Sequence, residues 1–469
     1  MVRGDAVDSS IEVDYLVVGA GAVGMAFTDS LVSETDATVA IVDRRDQPGG
    51  HWNDAYPFVR LHQPSLNYGL NSRTLGVGAK DVSGLNAGFY ELASGHEVVS
   101  HFGLAMRRDF VPTGRVRFFE SCEVDEARTI TSLLSGKRCS VAAGKVVDAT
   151  YSQMKIPSTH TPEFGVADGV DFVPVNDLPR VAAGHSEFVV VGAGKTGMDA
   201  VIWLLTNGAD PDAVRWVMPR DSWLLDRANT QLAGEFFARV AKSLADQVQC
   251  LAEASSVDDL FLRLEAAGEV RRIDPAVAPE AYHCAIVSDG ELEQLRRVDD
   301  IIRLGRVTSV EPDRIVLQGG TVPVRKNTLF VDCSAAGIPT RSPVPIFDDD
   351  RITPQWVRLC QPTFSAAFVG HIEAAYDTDQ DKNRLCAPIP PPTVPRHWVE
   401  MMQVELSNRQ IWATDPDIGD WMTNARLDGF TKLIGDHLGS DPDAAAHFGR
   451  YIEHTQAAIN ATTRLLAAG

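Results

Sequence analysis

Two glycine turns in this chain have the residue types and spacing to cradle a pyrophosphate. The first is Gly19-Ala20-Gly21-Ala22-Val23-Gly24, and the second is Gly192-Ala193-Gly194-Lys195-Thr196-Gly197. Each follows a β-branched apolar run, Tyr15 to Val18 and Phe188 to Val191, that reads as a buried parallel strand. Each opens a stretch of helical apolar spacing, Met25 to Val32 and Met198 to Leu205. In such a strand-turn-helix the first glycine makes the tight turn and the second admits a pyrophosphate to the backbone. The third lets helix and strand pack closely, and the helix N-terminus offers the phosphates unpaired N–H groups. Two such turns imply two dinucleotides, one to hold electrons and one to deliver them.

The end of each following strand separates the two ligands. The first unit continues Ala37-Thr-Val-Ala-Ile-Val-Asp43-Arg44. A carboxylate there accepts from ribose hydroxyls and repels a 2′-phosphate, which suits FAD or NAD, and FAD is the reading taken. The second unit continues Val214-Arg-Trp-Val-Met-Pro-Arg220, with a guanidinium where the acid would stand. That fork suits a 2′-phosphate and points to NADPH. The run Gly194-Lys195-Thr196 imitates the end of an ATP-binding loop, but that motif needs a glycine at position 189, which is Val. Lys195 and Thr196 fit better as a cation and a hydroxyl near the second pyrophosphate.

The rest of the chain must carry these two turns. A length of 469 residues suits two or three domains. A net charge of −20 argues against nucleic acid or an anionic membrane as partner. No apolar run has the length of a membrane span and the N-terminus lacks a secretory pattern, so a cytoplasmic location is expected. The seven cysteines are widely spaced, with no close pair, and read as buried reduced thiols rather than a redox dithiol or a metal site.

The expected fold is α/β, with two Rossmann-like dinucleotide-binding domains. An FAD domain begins at residues 1–150 and is interrupted, after a proline-rich linker at 151–186, by an NADP domain at 187–328. That domain contains a helical stretch from Gln231 to Ala267 and a hairpin turning at Glu311 to Arg314. Residues 329–395 are expected to return to the FAD domain, with Leu329 to Asp332 as the returning strand, before a mostly helical segment at 396–469.

The run Pro48-Gly49-Gly50-His51-Trp52, followed by Tyr56-Pro57, resembles the GGxW…YP segment of class B flavoprotein monooxygenases. The order of the two nucleotide motifs and the strand Val146 to Thr150 resemble that superfamily too. The chain departs from it between Phe164 and Arg180, where a FxGxxxHxxxW fingerprint is usual and neither the His nor the Trp is present at that spacing. It is therefore read as a divergent member.

The resemblance implies that NADPH passes hydride to FAD, that the reduced flavin forms a C4a-peroxide with O2, and that a small molecule is oxygenated. Nitrogen and sulfur are the favoured acceptors. It also implies that Gly50, His51, Trp52, His62 and Gln63 lie near the flavin, because the family's chain passes the isoalloxazine ring after GGxW. His283 is a weaker pocket candidate. A flavin dehydrogenase or reductase without oxygen insertion, and a redox sensor without turnover, are the competing readings.

Overall fold

The computed structural model describes residues 9–339 and 341–467. Strand β1 (Ser9–Val18) leads through the first glycine turn into α1 (Ala22–Glu34), and β2 (Val39–Val42) lies beside it in parallel register, Leu16 opposite Ala40. The four residues of β2 are all buried, as its continuous apolar run requires of a strand covered on both faces. Helix α2 (Gly95–Ala105) starts at a capping box, in which Ser94 and Glu97 satisfy each other's backbone N–H. Then come β3 (Val116–Phe119), the hairpin β4 (Cys122–Val124) and β5 (Thr129–Ser132), and the long β6 (Arg138–Asp148). The strands β3, β2, β1 and β6 form the parallel body of the first sheet.

A second parallel unit follows. Short strands β7 (Gly165–Val166) and β8 (Phe172–Pro174) and helix α3 (Leu178–Val181) precede β9 (Glu187–Val191), α4 (Lys195–Thr206) and β10 (Val214–Val217). Beyond it come β11 (Ser222–Asp226), helices α5 (Phe237–Glu253) and α6 (Val257–Ala267), β12 (Val270–Arg271) and β13 (Ala281–Val287). These three strands make a small separate sheet in the order β12-β11-β13. Helix α7 (Asp289–Leu295), β14 (Ile301–Ile302), the meander β15 (Val307–Glu311), β16 (Arg314–Leu317) and β17 (Gly320–Pro323), and β18 (Thr328–Asp332) complete the unit. Its main sheet has the order β14-β10-β9-β18-β8, parallel throughout.

Two expectations are corrected here. The strand Leu329–Asp332 does not return to the first sheet: Leu329 pairs with Phe188 and Asp332 with Val191, inside the second. The return is made by β19 (Phe347–Asp348) and β20 (Arg351–Ile352), where β20 joins the edge of β6. A fully buried apolar strand reads alike in either sheet, and only its register tells them apart. The proline-rich stretch 151–186 is also not a bare linker, since β7 pairs with β15 and β8 with β18.

The chain closes with α8 (Pro362–Ala375), packed on α1, then α9 (Asp379–Leu385), α10 (Pro395–Trp412), α11 (Pro416–Asn424), α12 (Phe430–His437) and α13 (Pro442–Ala467). Helix α13 lies along α5 and α10. A hydrophobic core of α5, α6, α10 and α13 residues, among them Leu251, Phe261, Trp398 and Leu465, joins the C-terminal segment to the helical part of the second unit. Among the described residues, no helix is long and apolar enough to cross a membrane.

Candidate functional site

The first glycine turn has the close backbone approach that a phosphate cradle would need. Gly19 takes φ +101°, a conformation L side chains rarely adopt, and its N–H donates to Val42 O at 2.8 Å. Gly24 sits in α1 so close to the turn that an added Cβ would stand 2.0 Å from Gly19 O. No side chain caps α1 and no acid occupies its first turn, so the N–H groups around Ala22 and Val23 keep their positive field for an anion. Asp43 follows β2 and turns its carboxylate to this loop. Its Oδ2 accepts from Ala20 N at 2.7 Å and its Oδ1 from Arg45 N at 2.9 Å.

The Gly49–Gly50 backbone lies directly on the same turn. Gly49 N donates to Ala20 O at 2.9 Å, and a Cβ on Gly50 would come within 2.9 Å of Gly21 Cα. His51 and Trp52 follow in a short 3-10 turn, with their ring centres 5.2 Å apart. Trp52 Nε1 donates to the Tyr68 hydroxyl at 2.9 Å, which fixes the indole. Burial, reinforced by the charge of Arg45, lowers the His51 pKa to about 4. Arg44 does not converge on this group: it is exposed and faces Glu123 at 3.9 Å.

The second turn repeats the construction. Gly192 has φ +123°, and a Cβ on Gly197 would stand 2.1 Å from Gly192 O. Helix α4 has no side-chain cap and no acid in its first turn. The space in front of Gly194 is open, with no atom within 4 Å of where its Cβ would be. Trp216 on β10 donates its indole N–H to Gly192 O at 2.8 Å, a support that sequence reasoning missed because a strand tryptophan reads as core. Lys195 pairs with Asp199 one turn on, and Thr196 lies beside the Tyr56 hydroxyl. Arg220 is partly exposed beyond the end of β10 and has no hydrogen bond or ion pair among the described residues.

His62 and Gln63 connect the two units. His62 Nδ1 accepts from Ile286 N at 3.2 Å, so the neutral ring carries its proton on Nε2. Burial, then the charges of Lys195 and Arg227, lower the His62 pKa to about 3. Gln63 and Asn67 line a cavity of about 190 Å³ whose other walls include Tyr282, Arg358, Trp398 and Phe430. Glu269 also borders it. Burial raises the Glu269 pKa to about 7, although Ser243 and Gln247 donate to its carboxylate. Glu269, Arg358 and Arg227 were not singled out from the sequence, because no local motif marks them. His283 is exposed on β13 and does not line this cavity.

The cysteines require a correction. Cys284 and Cys360 form a disulfide across a separation of 76 residues, which no spacing rule could reveal. Among the described residues no group of His, Cys, Asp and Glu is arranged to hold a metal ion.

Residues 17–73 match the model of an NAD(P)-binding Rossmann-like domain. Among solved structures, a polycyclic ketone monooxygenase from Thermothelomyces thermophila overlaps 97% of this chain and 86% of its own, at 11% identity and a TM-score of 0.49. A flavin-containing monooxygenase from Stenotrophomonas maltophilia overlaps 80% and 99% at 14% identity and 0.43. A bacillithiol disulfide reductase from Bacillus cereus overlaps 78% and 100% at 11% and 0.46. Overlaps this loose say nothing of activity. The uncharacterized proteins Rv2000 of Mycobacterium tuberculosis and Mb2023 of Mycobacterium bovis are far nearer. Each is 48% identical over 425 residues, which is 91% of this chain and 79% of theirs. This chain belongs to the same family as those two mycobacterial proteins.

Proposed function

We propose that this chain is an FAD- and NADPH-dependent oxidoreductase acting on a small molecule, and within that class a monooxygenase that oxygenates nitrogen or sulfur. The observation that carries the cofactor reading is the contrast between two strand ends. Asp43 ends the first with its carboxylate turned to the glycine loop, whereas Arg220 lies beyond the second with no hydrogen bond or ion pair among the described residues. An acid there favours a ribose with free hydroxyls, and a free guanidinium favours a 2′-phosphate.

Gly19, Gly21, Gly24 and the start of α1, with Asp43 and Gly50, fit the adenosine pyrophosphate of FAD. Gly192, Gly194, Lys195, Thr196, Gly197 and Arg220 fit NADPH. The domain division we propose follows the sheets, with the first sheet, α1 and α8 for FAD and the second sheet and α4 for NADPH. When bound, the flavin supplies two-electron transfer from the nicotinamide and activation of O2. The chain's own part is to bind, orient and exclude water. Trp52 is held by Tyr68, and His51 and His62 stay neutral through the physiological range. The cavity beyond Gln63 sets apolar side chains such as Leu264, Ile286, Trp398 and Phe430 beside polar and charged ones, among them Asn67, Glu269 and Arg358, which suits a small polar molecule.

The test is turnover with NADPH under isotopically heavy O2, over a panel of amines and sulfides. Label in the product supports oxygen insertion. NADPH consumption with unlabelled product supports the dehydrogenase or reductase reading and removes the monooxygenase one.

A further inference from the structure

The disulfide joins two elements that no backbone ladder connects. Cys284 lies on β13, at an irregularity where residues 283–285 stand opposite Leu224 alone. Cys360 lies in the segment between β20 and α8. Amides of that segment are met by side chains: Val357 and Arg358 N–H donate to Ser365 Oγ, and Leu359 N–H donates to Glu405 Oε2. A backbone bridge between Trp356 and Ile389 holds the start of the segment. Beyond it, side-chain bonds hold a loop less firmly than a ladder does, and the disulfide ties it covalently to β13.

Both cysteines have left-handed backbone, φ +55° at Cys284 and +53° at Cys360. Non-glycine residues persist there only when their surroundings hold them. Cys284 is 5% exposed, whereas Cys360 is partly exposed and lines the cavity. Two residues away, Arg358 lines the same cavity. It is 5% exposed, its Nε meets no acceptor, and its guanidinium lies 3.7 Å from the Phe364 ring centre and bonds Asp428 at 2.5 Å.

We propose that the Cys284–Cys360 bridge is a thiol-exchangeable clasp on the cavity wall. Closed, it pins segment 356–361 to β13; opened by a small thiol, it frees the segment that carries Arg358. The exposure difference sets the order of attack. A thiolate entering the cavity attacks Cys360 Sγ, the S–S bond breaks, and Cys284 Sγ leaves as a thiolate that takes up a proton. A second thiolate attacks the mixed disulfide, releases Cys360 as a thiol after protonation, and departs as the oxidised small disulfide. Two electrons pass from two thiols to the bridge. The clasp does not depend on the cofactor reading, because it needs neither nucleotide.

The test uses the full chain, oxidised with glutathione disulfide or reduced with cysteine, then denatured and alkylated. The oxidised form should take five alkyl groups, one for each free cysteine, and the reduced form seven. Peptide mapping should place the two extra groups on Cys284 and Cys360. Hydrogen exchange on the native protein should speed up about tenfold or more in 281–287 and 356–361 on reduction, with β1 and α1 unchanged. In Cys284→Ser, the native Cys360 thiolate should attack cystine, forming a mixed disulfide with one cysteine and releasing the other as a thiol. Should that variant fail to fold, the exchange measurement on the unaltered chain decides alone. Seven alkylated cysteines after oxidation, or equal exchange in both redox forms, overturns the proposal.

Discussion

The Tyr56 hydroxyl donates to Asp199 Oδ2 at 2.7 Å, so the segment after the double glycine is bonded to the helix that the second glycine turn opens. Asp199 also holds Lys195, and Tyr56 is 7% exposed with its pKa pushed well above the ordinary value by burial and by that carboxylate. One side chain thus ties the segment beside the first glycine turn to the helix opened by the second. Tyr56→Phe should cost about 1–2 kcal/mol in urea unfolding, since it removes a hydrogen bond to a charged group. It should also loosen NADPH binding while flavin content stays at that of the unaltered chain. Unchanged stability would show that the contact carries no coupling.

Gly24→Ala and Gly197→Ala should dissect the two sites. Each places a Cβ about 2 Å from a backbone carbonyl oxygen, Gly19 O or Gly192 O, and backbone cannot step aside as a flexible side chain can. Gly24→Ala should lose bound flavin. Gly197→Ala should stay yellow but be reduced by NADPH at least about tenfold more slowly, a loss of some 1.4 kcal/mol. Flavin loss from both variants alike would contradict the assignment of separate turns to separate nucleotides.

Arg220→Gln should lower the preference for NADPH over NADH by about 10–100-fold in kcat/KM, from a lost charge-assisted bond of roughly 1.5–3 kcal/mol. Initial rates with both nucleotides measure it. Because Arg220 makes no hydrogen bond or ion pair among the described residues, its removal should leave the melting temperature in place.

The buried histidines predict a pH slope. In the unfolded chain His62 titrates near 6.5, whereas in the folded one it stays neutral down to about 3. Between those values the unfolded state binds the extra proton, so stability falls as pH drops, by up to about 1.4 kcal/mol per pH unit for this residue. Glu269 acts in the opposite sense: its pKa rises from 4.5 to about 7 on folding, so over that window rising pH destabilises. Urea unfolding of His62→Gln should show a flatter slope between about pH 4 and 6.5, and Glu269→Gln a steeper one. Parallel slopes in all three proteins would exclude these residues as the source.

Local structure was legible in the sequence, and partnership across distance was not. The two turns could be read because a glycine spacing, the strand before it and the charge after it lie within one unit. The hairpin at Glu311 to Arg314 and the C-terminal helices were readable for the same reason. The sheet to which Leu329–Asp332 belongs was misread, because an all-apolar strand carries no mark of its neighbours. The Cys284–Cys360 bridge and the meeting of Gln63, Glu269 and Arg358 around one cavity were hidden likewise, each depending on chain segments far apart. Arg44, beside the readable Asp43, shows the limit of adjacency: it faces outward to Glu123.

The central claim is that the N-terminal turn holds FAD and the later one delivers electrons from NADPH. Anaerobic titration of the FAD-reconstituted full chain with NADPH, followed by visible absorbance, tests it most directly. The account predicts one FAD per chain and complete bleaching by one equivalent of NADPH. A colourless chain that takes up no flavin, or a bound flavin that NADPH never bleaches, would contradict it.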